Sequence, residues 1–265
     1  MDPKHIKGLT SDPKNRRKRT KYSQRNIATY DDGTAMIETT CGGAVPWSIK
    51  ALVREGTSDR FIVDEVIKGN TYRHLNITDG DTVLDVGMNI GTFSILALIK
   101  GATVHAFEPD PDNFKLALRN VELNGFKTKF YPHQSAVIGT NENYRQFSIN
   151  LKKNKGAHSL VHKRGRSQIT VESENINTNL SRVNPTVIKM DIEGGEYECI
   201  RAVNSFNGVR EMILEFHHAH LLDIKRPEKY SEIIEILKKH FANVYFRPVG
   251  TTKKAWVTLV YCRNY

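Results

Sequence analysis

The chain is 265 residues long, 39% hydrophobic and 26% charged, with 39 Lys/Arg against 29 Asp/Glu for a net charge of +10. That length buries a full core, and one large α/β domain with a tail is the economical organisation. No apolar run approaches the ~20 residues that span a bilayer, the N-terminus lacks the apolar centre of a signal peptide, and Cys41, Cys199 and Cys262 share no C-x-x-C spacing that would suggest a disulfide framework or a zinc site. A cytoplasmic location is expected.

Positive charge is concentrated at the start. Residues 1–30 hold nine Lys/Arg against Asp2 and Asp12, a net +7, which leaves +3 for residues 31–265. Residues 1–26 are polar and poor in aromatics, so a disordered tail is expected. Their K-N-R-R-K-R-T-K block suits nucleic acid, an anionic surface or an import receptor, or serves only as a solvated tail. Ile27 to Tyr30, the Asp31-Asp32-Gly33 turn and Thr34 to Glu38 predict a β-hairpin. Ser58 is a candidate N-cap for a helix through Phe61, Ile62, Glu65 and Val66 that ends near Gly69-Asn70. Residues 27–80 are therefore an N-terminal extension, expected to pack over a ligand's edge, and 81–265 the catalytic domain.

Thr82 to Ser94 reads T-V-L-D-V-G-M-N-I-G-T-F-S. Thr82 to Val86 is a β-branched, apolar run of the kind that forms a buried parallel strand. It stops at Gly87 and Gly91, and Thr92 to Lys100 reads as an apolar helix. Ala102 to Phe107 is a second apolar strand, ending in Glu108. Strand, glycine turn, helix, strand and acid in that order make a nucleotide-type βαβ unit, whose acid holds a ribose by its hydroxyls. The spacing Gly87-x-x-x-Gly91 departs from the G-x-G-x-x-G of a dinucleotide site. Asn89 stands where the central glycine would be, and Asn tolerates positive φ. Asp85 beside the turn would repel a pyrophosphate and suits an ammonium group. S-adenosylmethionine, with an ammonium, a sulfonium, a ribose and no phosphate, is therefore expected rather than NAD. The bland alternative is an ordinary strand-turn-helix with incidental acids.

Asp110 and Pro111 start the next helix, Asn124-Gly125 stops it, and Phe114, Leu118, Val121 and Leu123 are expected to face the sheet. Lys127 to Tyr131 is the next expected strand. Ser135 to Ile138 follows and would lie beside an adenine. Tyr144 to Asn150 and Ser167 to Val171 alternate like an antiparallel pair. Between them, residues 152–166 hold six Lys/Arg and no acid, either a solvated loop or a cover for an anionic substrate. Thr186 to Met190 predicts a buried strand, followed by D-I-E-G-G-E and a helix through Cys199, Ile200 and Val203. Glu211 to Phe216 is another strand, ending at His217-His218. Glu228 to Phe241 carries an apolar stripe of Tyr230, Ile233, Ile234, Leu237 and Phe241. Asn243 to Phe246 and Ala255 to Tyr261 close the sheet. The fold class is α/β: a doubly wound, mainly parallel, Rossmann-like sheet with an antiparallel C-terminal edge.

Polar residues gather at strand carboxyl ends, where open α/β sheets place their sites. The cofactor candidates are Asp85, Gly87, Asn89, Gly91, Thr92, Glu108, Pro109, Ser135 and Ala136. The catalytic candidates are Lys189, Asp191, Glu193 and His217. Read singly, Asp191 is a loop acid, Glu196 a helix N-terminal charge and His217 a capped surface histidine.

The sequence resembles the FkbM family of S-adenosylmethionine-dependent methyltransferases. The resemblance rests on D-V-G-M-N-I-G (85–91), A-F-E-P-D-P-D-N-F (106–114), N-V-E-L-N-G (120–125), I-K-M-D-I-E-G-G-E (188–196) and L-E-F-H (214–217), with H-S-L (158–160), D-R-F-I-V-D-E-V (59–66) and Tyr72 in support. It covers about residues 58–217 and leaves 1–57 without a counterpart. Met88 and His158 depart from the family's more frequent small residue and Ser. The resemblance implies a class I methyltransferase fold and methyl transfer to a hydroxyl of a sugar, glycan or other secondary metabolite.

Methyl transfer from a sulfonium needs alignment of acceptor oxygen, methyl and sulfur in a site screened from water. The acceptor proton leaves either to a base or by coordination to a metal. Asp191 and Glu193, with His217, could hold a divalent ion such as Mg²⁺. Alternatively His217, with an unperturbed pKa near 6.5, takes the proton while Asp191 or Glu193 orients it and Lys189 sets the local charge. The metal-free route is preferred because magnesium favours oxygen ligands. Two other readings remain. A nucleic-acid methyltransferase is suggested by the tail, although the chain has D-I-E-G where an amino-methylating enzyme carries N/D-P-P-Y/F. A nucleic-acid-binding protein with a cofactor fold and no turnover would bind through residues 1–26.

Overall fold

The computed structural model of the chain describes residues 25–41, 47–149, 158–161, 167–218, 230–251 and 254–265. The chain opens with β1 (Arg25–Thr29), β2 (Thr34–Cys41), β3 (Trp47–Arg54) and α1 (Asp59–Ile67). The nucleotide-type unit follows as β4 (Thr82–Val86), α2 (Thr92–Ile99), β5 (Thr103–Phe107), α3 (Pro111–Leu123) and β6 (Phe130–His133). Next come β7 (Ala136–Ile138), β8 (Tyr144–Ile149), β9 (Ser167–Asn175) and α4 (Ile176–Val183). The chain ends with β10 (Val187–Met190), α5 (Glu196–Ala202), β11 (Glu211–His217), α6 (Tyr230–His240), β12 (Asn243–Thr251) and β13 (Lys254–Arg263).

Seven strands form the central sheet in the order β12-β13-β11-β10-β4-β5-β6. Pairing from β11 through β10, β4 and β5 to β6 is parallel, and β13 joins β11 and β12 antiparallel. The fold is thus a doubly wound α/β sheet with an antiparallel C-terminal edge. From β4 the chain winds outward through β5 to β6, and from β10 it winds the other way to β11. The crevice at the carboxyl ends of β4 and β10 is therefore the topological switch point, where such sheets bind ligands.

The strands at that point are buried on both faces, as their apolar runs require. Helices α1, α2 and α3 cover one face together with β2 and β3, and α4, α5 and α6 cover the other. Every residue of α2 from Thr92 to Leu98 is buried, as a helix apolar all round demands. Each fully buried Leu, Ile or Phe there stabilises the fold by about 1.5–3 kcal/mol.

The hairpin β1–β2 and the capping of α3 match expectation. Asp110 accepts from the N–H groups of Asp112 and Asn113, and Pro111 fills the first turn. The buried face of α3 is rotated, however. Leu116, Ala117 and Val121 are inside, whereas Leu118 is exposed. The helix must turn its small Ala117 toward Gly91, where a Cβ on the glycine would come within 3.3 Å of it. Strand β6 begins at Phe130 rather than Lys127, because Lys129 sits at φ 62 and parallel pairing with β5 starts at Phe130. Two elements lie outside the expected set, β3 and α4. The first alternates with Ile49, Ala51 and Val53 buried. The second is rich in Asn, Thr and Ser and carries little helix propensity. Strand β1 also starts at Arg25, so ordered structure reaches slightly into the segment read as tail. Residues 1–24, and most of the basic loop 152–166, lie outside the described residues. Among the described residues no helix is long and apolar enough to cross a membrane.

Two asparagines of the N-V-E-L-N-G segment dock β3 onto the domain. Asn120 is buried and accepts from Leu52 N (2.6 Å) while donating to Leu52 O (3.2 Å) and Ile90 O (2.9 Å). Asn124, one turn on, accepts from Lys50 N (3.1 Å) and donates to Lys50 O (2.7 Å). Their amides continue the strand's hydrogen bonding as a further strand would. Replacing Asn120 with Leu keeps the volume and strands three backbone groups. We expect Asn120→Leu to cost about 2–4 kcal/mol in urea unfolding, at 1–3 kcal/mol per orphaned buried group with partial relief by water. An unchanged midpoint would show that β3 docks by other means.

Candidate active site

The site is built around one turn and the ion pair beneath it. Register places Lys189 on β10 beside Asp85 on β4. Both side chains are buried, with Lys189 Nζ 3.2 Å from Asp85 Oδ1. Ser94 Oγ donates to the other carboxylate oxygen at 2.6 Å, and Lys189 also donates to Gly87 O. Burial works to lower the Lys189 pKa, but Asp85 and Asp191 reverse that effect and hold the ammonium above its ordinary value. Gly87 lies at φ 85, and a Cβ there would be 1.9 Å from Asp191 O, so only glycine fits. Asn89 supplies the second left-handed residue, at φ 53. The N–H groups of Gly87 and Met88 both donate to Phe107 O (3.0 and 2.9 Å), and Asp191 N donates to Val86 O (3.0 Å). Three strand ends are thus joined at one point.

On one side of the turn is a cleft whose empty space, open solvent included, is about 550 Å³. Glu108 lies buried within it, its two oxygens accepting from Asn89 N and Asp110 N at 2.9 Å each. Burial pushes its carboxyl up to about 7, against the pull of those N–H groups and of Lys189. Each oxygen keeps lone-pair capacity for a diol. Phe107, Val137, Phe147 and Leu160 supply apolar walls, and Asn113 and Ser135 supply polar atoms. A ribose on Glu108 and a purine between those walls fit the donor set, so these residues suit S-adenosylmethionine.

On the other side is a larger cleft of about 1340 Å³, open solvent included. It shares Gly87, Asn89, Asp191 and Glu193 with the first. Glu65, Asp191, Glu193, Glu215, Lys189 and His217 line it with Tyr72, against an apolar wall that includes Phe61, Ile62 and Phe93. The Tyr72 hydroxyl is 3.3 Å from Asp191 Oδ2 and 3.4 Å from Glu215 Oε1. Burial first, then those carboxylates, raises its pKa well above the usual value and keeps it a donor. Burial, then Asp191, pushes Glu215 up to about 8. His217 is buried between Glu196 (Nδ1 to Oε1, 3.1 Å) and Glu193 (Nε2 to Oε2, 3.6 Å). Burial disfavours its charge, but Glu193, Glu196 and Asp191 together hold its pKa well above the ordinary value. Glu196 also caps the D-I-E-G-G-E loop, accepting from Ile192 N (3.0 Å) and Gly194 N (2.9 Å).

A Methyltransferase FkbM domain matches residues 85–244, more than half of the chain. The chain belongs to the FkbM methyltransferase family. It is similar to the hexuronic acid methyltransferase AglP of Haloferax volcanii, 26% identical over 186 residues that cover 64% of this chain and 66% of AglP, just under two thirds of that protein's length. It is also similar to the 31-O-demethyl-FK506 methyltransferase FkbM of Streptomyces tacrolimicus, 44% identical over 59 residues covering 21% and 23% of the two chains. Among solved structures, a precorrin-6y C5,15-methyltransferase from Geobacter metallireducens is similar with a TM-score of 0.47 and 14% identity, covering 79% of this chain and 93% of that one.

Within this FkbM-family chain the expected residues separate. Gly87, Asn89, Glu108, Pro109, Ser135 and Ala136 line the smaller cleft. Asp85 lines neither cleft, because its carboxylate is spent on Lys189 and Ser94; the expectation that it meets a ligand's ammonium does not hold in this geometry. Gly91 lies under α3, and Thr92 lines the larger cleft. Lys189, Asp191, Glu193 and His217 do come together. The candidate divalent-ion set differs from expectation: Asp191, Glu215 and His217, rather than Asp191 and Glu193, each offer an atom within 4.8 Å of the others. Both His217 nitrogens already face carboxylates, so its imidazole must give up a proton and the Glu193 contact before ligating. The donor set thus favours an ion poorly, and no step is assigned to one. Sequence reading missed Glu215 and the reach of Tyr72. The signal for Glu215 was present: it lies two residues before His217 on one strand, hence on the same face.

Because a carboxylate must be ionised to accept both ribose hydroxyls, affinity for S-adenosylhomocysteine should fall about tenfold from pH 8 to pH 6 as Glu108 protonates through about 7. Glu108→Gln should weaken binding by about 1–3 kcal/mol and flatten that pH dependence. Calorimetry showing wild-type affinity and slope in the variant would remove Glu108 from the site.

Proposed function

We propose that this protein transfers a methyl group from S-adenosylmethionine to a hydroxyl of a sugar, glycan or other secondary metabolite. The observation that carries the reading is the meeting of two clefts at Gly87, Asn89, Asp191 and Glu193. One suits an adenosyl group and the other is lined by proton acceptors. A relative named for hexuronic acid supports a sugar-type acceptor.

When bound, the cofactor supplies a sulfonium methyl. The chain's part is to align the acceptor oxygen behind that methyl and to remove its proton. Asp191, like Glu193, lines both clefts, and Glu215 shares the Tyr72 hydroxyl with it. Glu215, whose carboxyl is pushed up to about 8 by burial and by Asp191 beside it, is matched to an alcohol's proton. For His217, expected as the neutral base, the pKa is held up by Glu193, Glu196 and Asp191 against burial, which favours a role in positioning Glu193 and offsetting the carboxylates. Nucleic acid fits poorly, since the larger cleft presents carboxylates to a phosphate backbone.

Mass spectrometry of hydroxylated small molecules and glycans, incubated with protein and isotope-labelled donor, tests the reading. Label on oxygen supports it; label on nitrogen or carbon, or none despite donor binding, sinks it. Turnover should survive exhaustive chelation and climb as pH rises through about 8, with Glu215 becoming ionised. Loss on chelation with recovery in Mg²⁺ or Mn²⁺ would instead make Asp191 and Glu215 ligands. Glu215→Gln should lower kcat by about 100-fold, the lower end for a general base, with donor affinity unchanged.

A further inference from the structure

The wall of the larger cleft facing the turn comes from residues outside the family match. Phe61, Ile62, Glu65 and Val66 sit on α1, and Tyr72 follows it, whereas the match begins at residue 85. Phe61 is 68% exposed, a flat apolar face at the mouth. Glu65 is exposed beside it.

The charges in this cleft do not balance. Four carboxylates line it, from Glu65, Asp191, Glu193 and Glu215, against the two cations Lys189 and His217. Both cations are already engaged: Lys189 pairs with Asp85 at 3.2 Å, and His217 sits between Glu196 and Glu193. Both still act on Asp191 and Glu215 from there, but among the described residues no cation of the cleft pairs with Glu65. Repulsion outweighs attraction at Glu215: after burial, Asp191 and Glu65 raise its carboxyl while His217 and Lys189 work against them, and it still stands at about 8. A sulfonium at the junction offsets one negative charge and leaves the surplus standing. This acidic surface stands in a chain of net charge +10, so it is a local feature, and one-sign clefts with apolar walls focus their field on the ligand.

We propose that the acceptor is a hydroxylated molecule bearing a protonated amine, such as an aminosugar, with Glu65 reading the amine and the Phe61 ring covering the acceptor's apolar face. A uronate or phosphorylated acceptor would place its anion against Glu65 and Asp191, with Glu215 joining them once ionised above about 8. This inference rests on the methyl-transfer reading above and narrows its substrate class.

The test is a panel of methyl hexosides identical but for one substituent: amine, hydroxyl or carboxylate. Each is incubated with the full chain and labelled donor, and kcat/KM is compared at one pH and ionic strength. The amine is expected to lead the hydroxyl by about fivefold, the scale of one partly exposed charge contact, and the carboxylate to trail both. Glu65→Gln should erase the amine's lead, and Glu65→Lys should move the preference toward the carboxylate, with S-adenosylhomocysteine affinity unchanged in both. Glu65 lies exposed on a helix, so both variants should fold, and thermal unfolding confirms it. A carboxylate acceptor that matches or beats the amine, or a ranking indifferent to Glu65, overturns the inference and leaves methyl transfer intact. No transfer to any member by donor-bound protein overturns the methyl-transfer reading, and the inference falls with it.

Discussion

The Lys189–Asp85 pair is the interaction on which the rest of the site depends. Two charges removed from water cost several kcal/mol each after relaxation, and their mutual attraction recovers this only with good geometry and further hydrogen bonds. Both conditions are met here. Ser94 satisfies the free side of Asp85, and Gly87 O takes another proton of Lys189. Breaking such a pair from one side typically costs about 3–5 kcal/mol. In this chain the damage would not stay local. The ammonium holds the first carbonyl of the turn, and that turn is bonded to Phe107 on one side and sits against Asp191 on the other. Both clefts take their shared rim from it.

The same pair divides the electrostatics. With Lys189 paired to Asp85, the carboxylates of the larger cleft keep only part of its neutralising charge. His217 does not replace it, because Glu196 and Glu193 take both sides of the ring. The smaller cleft solves the problem differently. Its one buried carboxylate, Glu108, is met by two backbone N–H groups rather than by a cation. A carboxylate held by peptide N–H groups can be buried without a fixed positive charge nearby. Negative charge is met mainly by backbone dipoles in the smaller cleft and by cations already paired elsewhere in the larger one.

What could be read from the sequence follows from how local each signal is. Strand, glycine turn and helix at 82–99 were legible because β-branched runs, positive-φ residues and an apolar helix are written in adjacent residues. The same holds for the Asp110-Pro111 cap. The inward face of α3 was not, because Ala117 is turned inward by Gly91, some twenty-six residues away, and small residues carry no weight in a hydrophobic stripe. Asp85 was placed correctly beside the turn but given the wrong partner. Its neutralising lysine lies on a strand more than a hundred residues later, and only the register of β4 with β10 brings them together. His217 failed for the same reason. Its ordinary pKa was a fair starting point, but two glutamates of the D-I-E-G-G-E loop close on the ring and change its protonation state.

The N-terminal extension shows how family-matched and unmatched residues depend on each other. Strand β3 is docked by Asn120 and Asn124, which lie inside the matched region. At its end Arg54 bonds Asp59, the first residue of α1, and Asn113, which lines the smaller cleft. The first turn of α1 is therefore tied through Arg54 to Asn113 of α3, and the helix places Phe61 and Glu65 on the wall of the larger cleft. On this mount, the residues of α1 that line the larger cleft stand on a separate element from the turn, Glu108 and the carboxylate pair. On the proposed reading, the domain sets the alignment that methyl transfer needs, and α1 supplies the wall that selects the molecule being aligned.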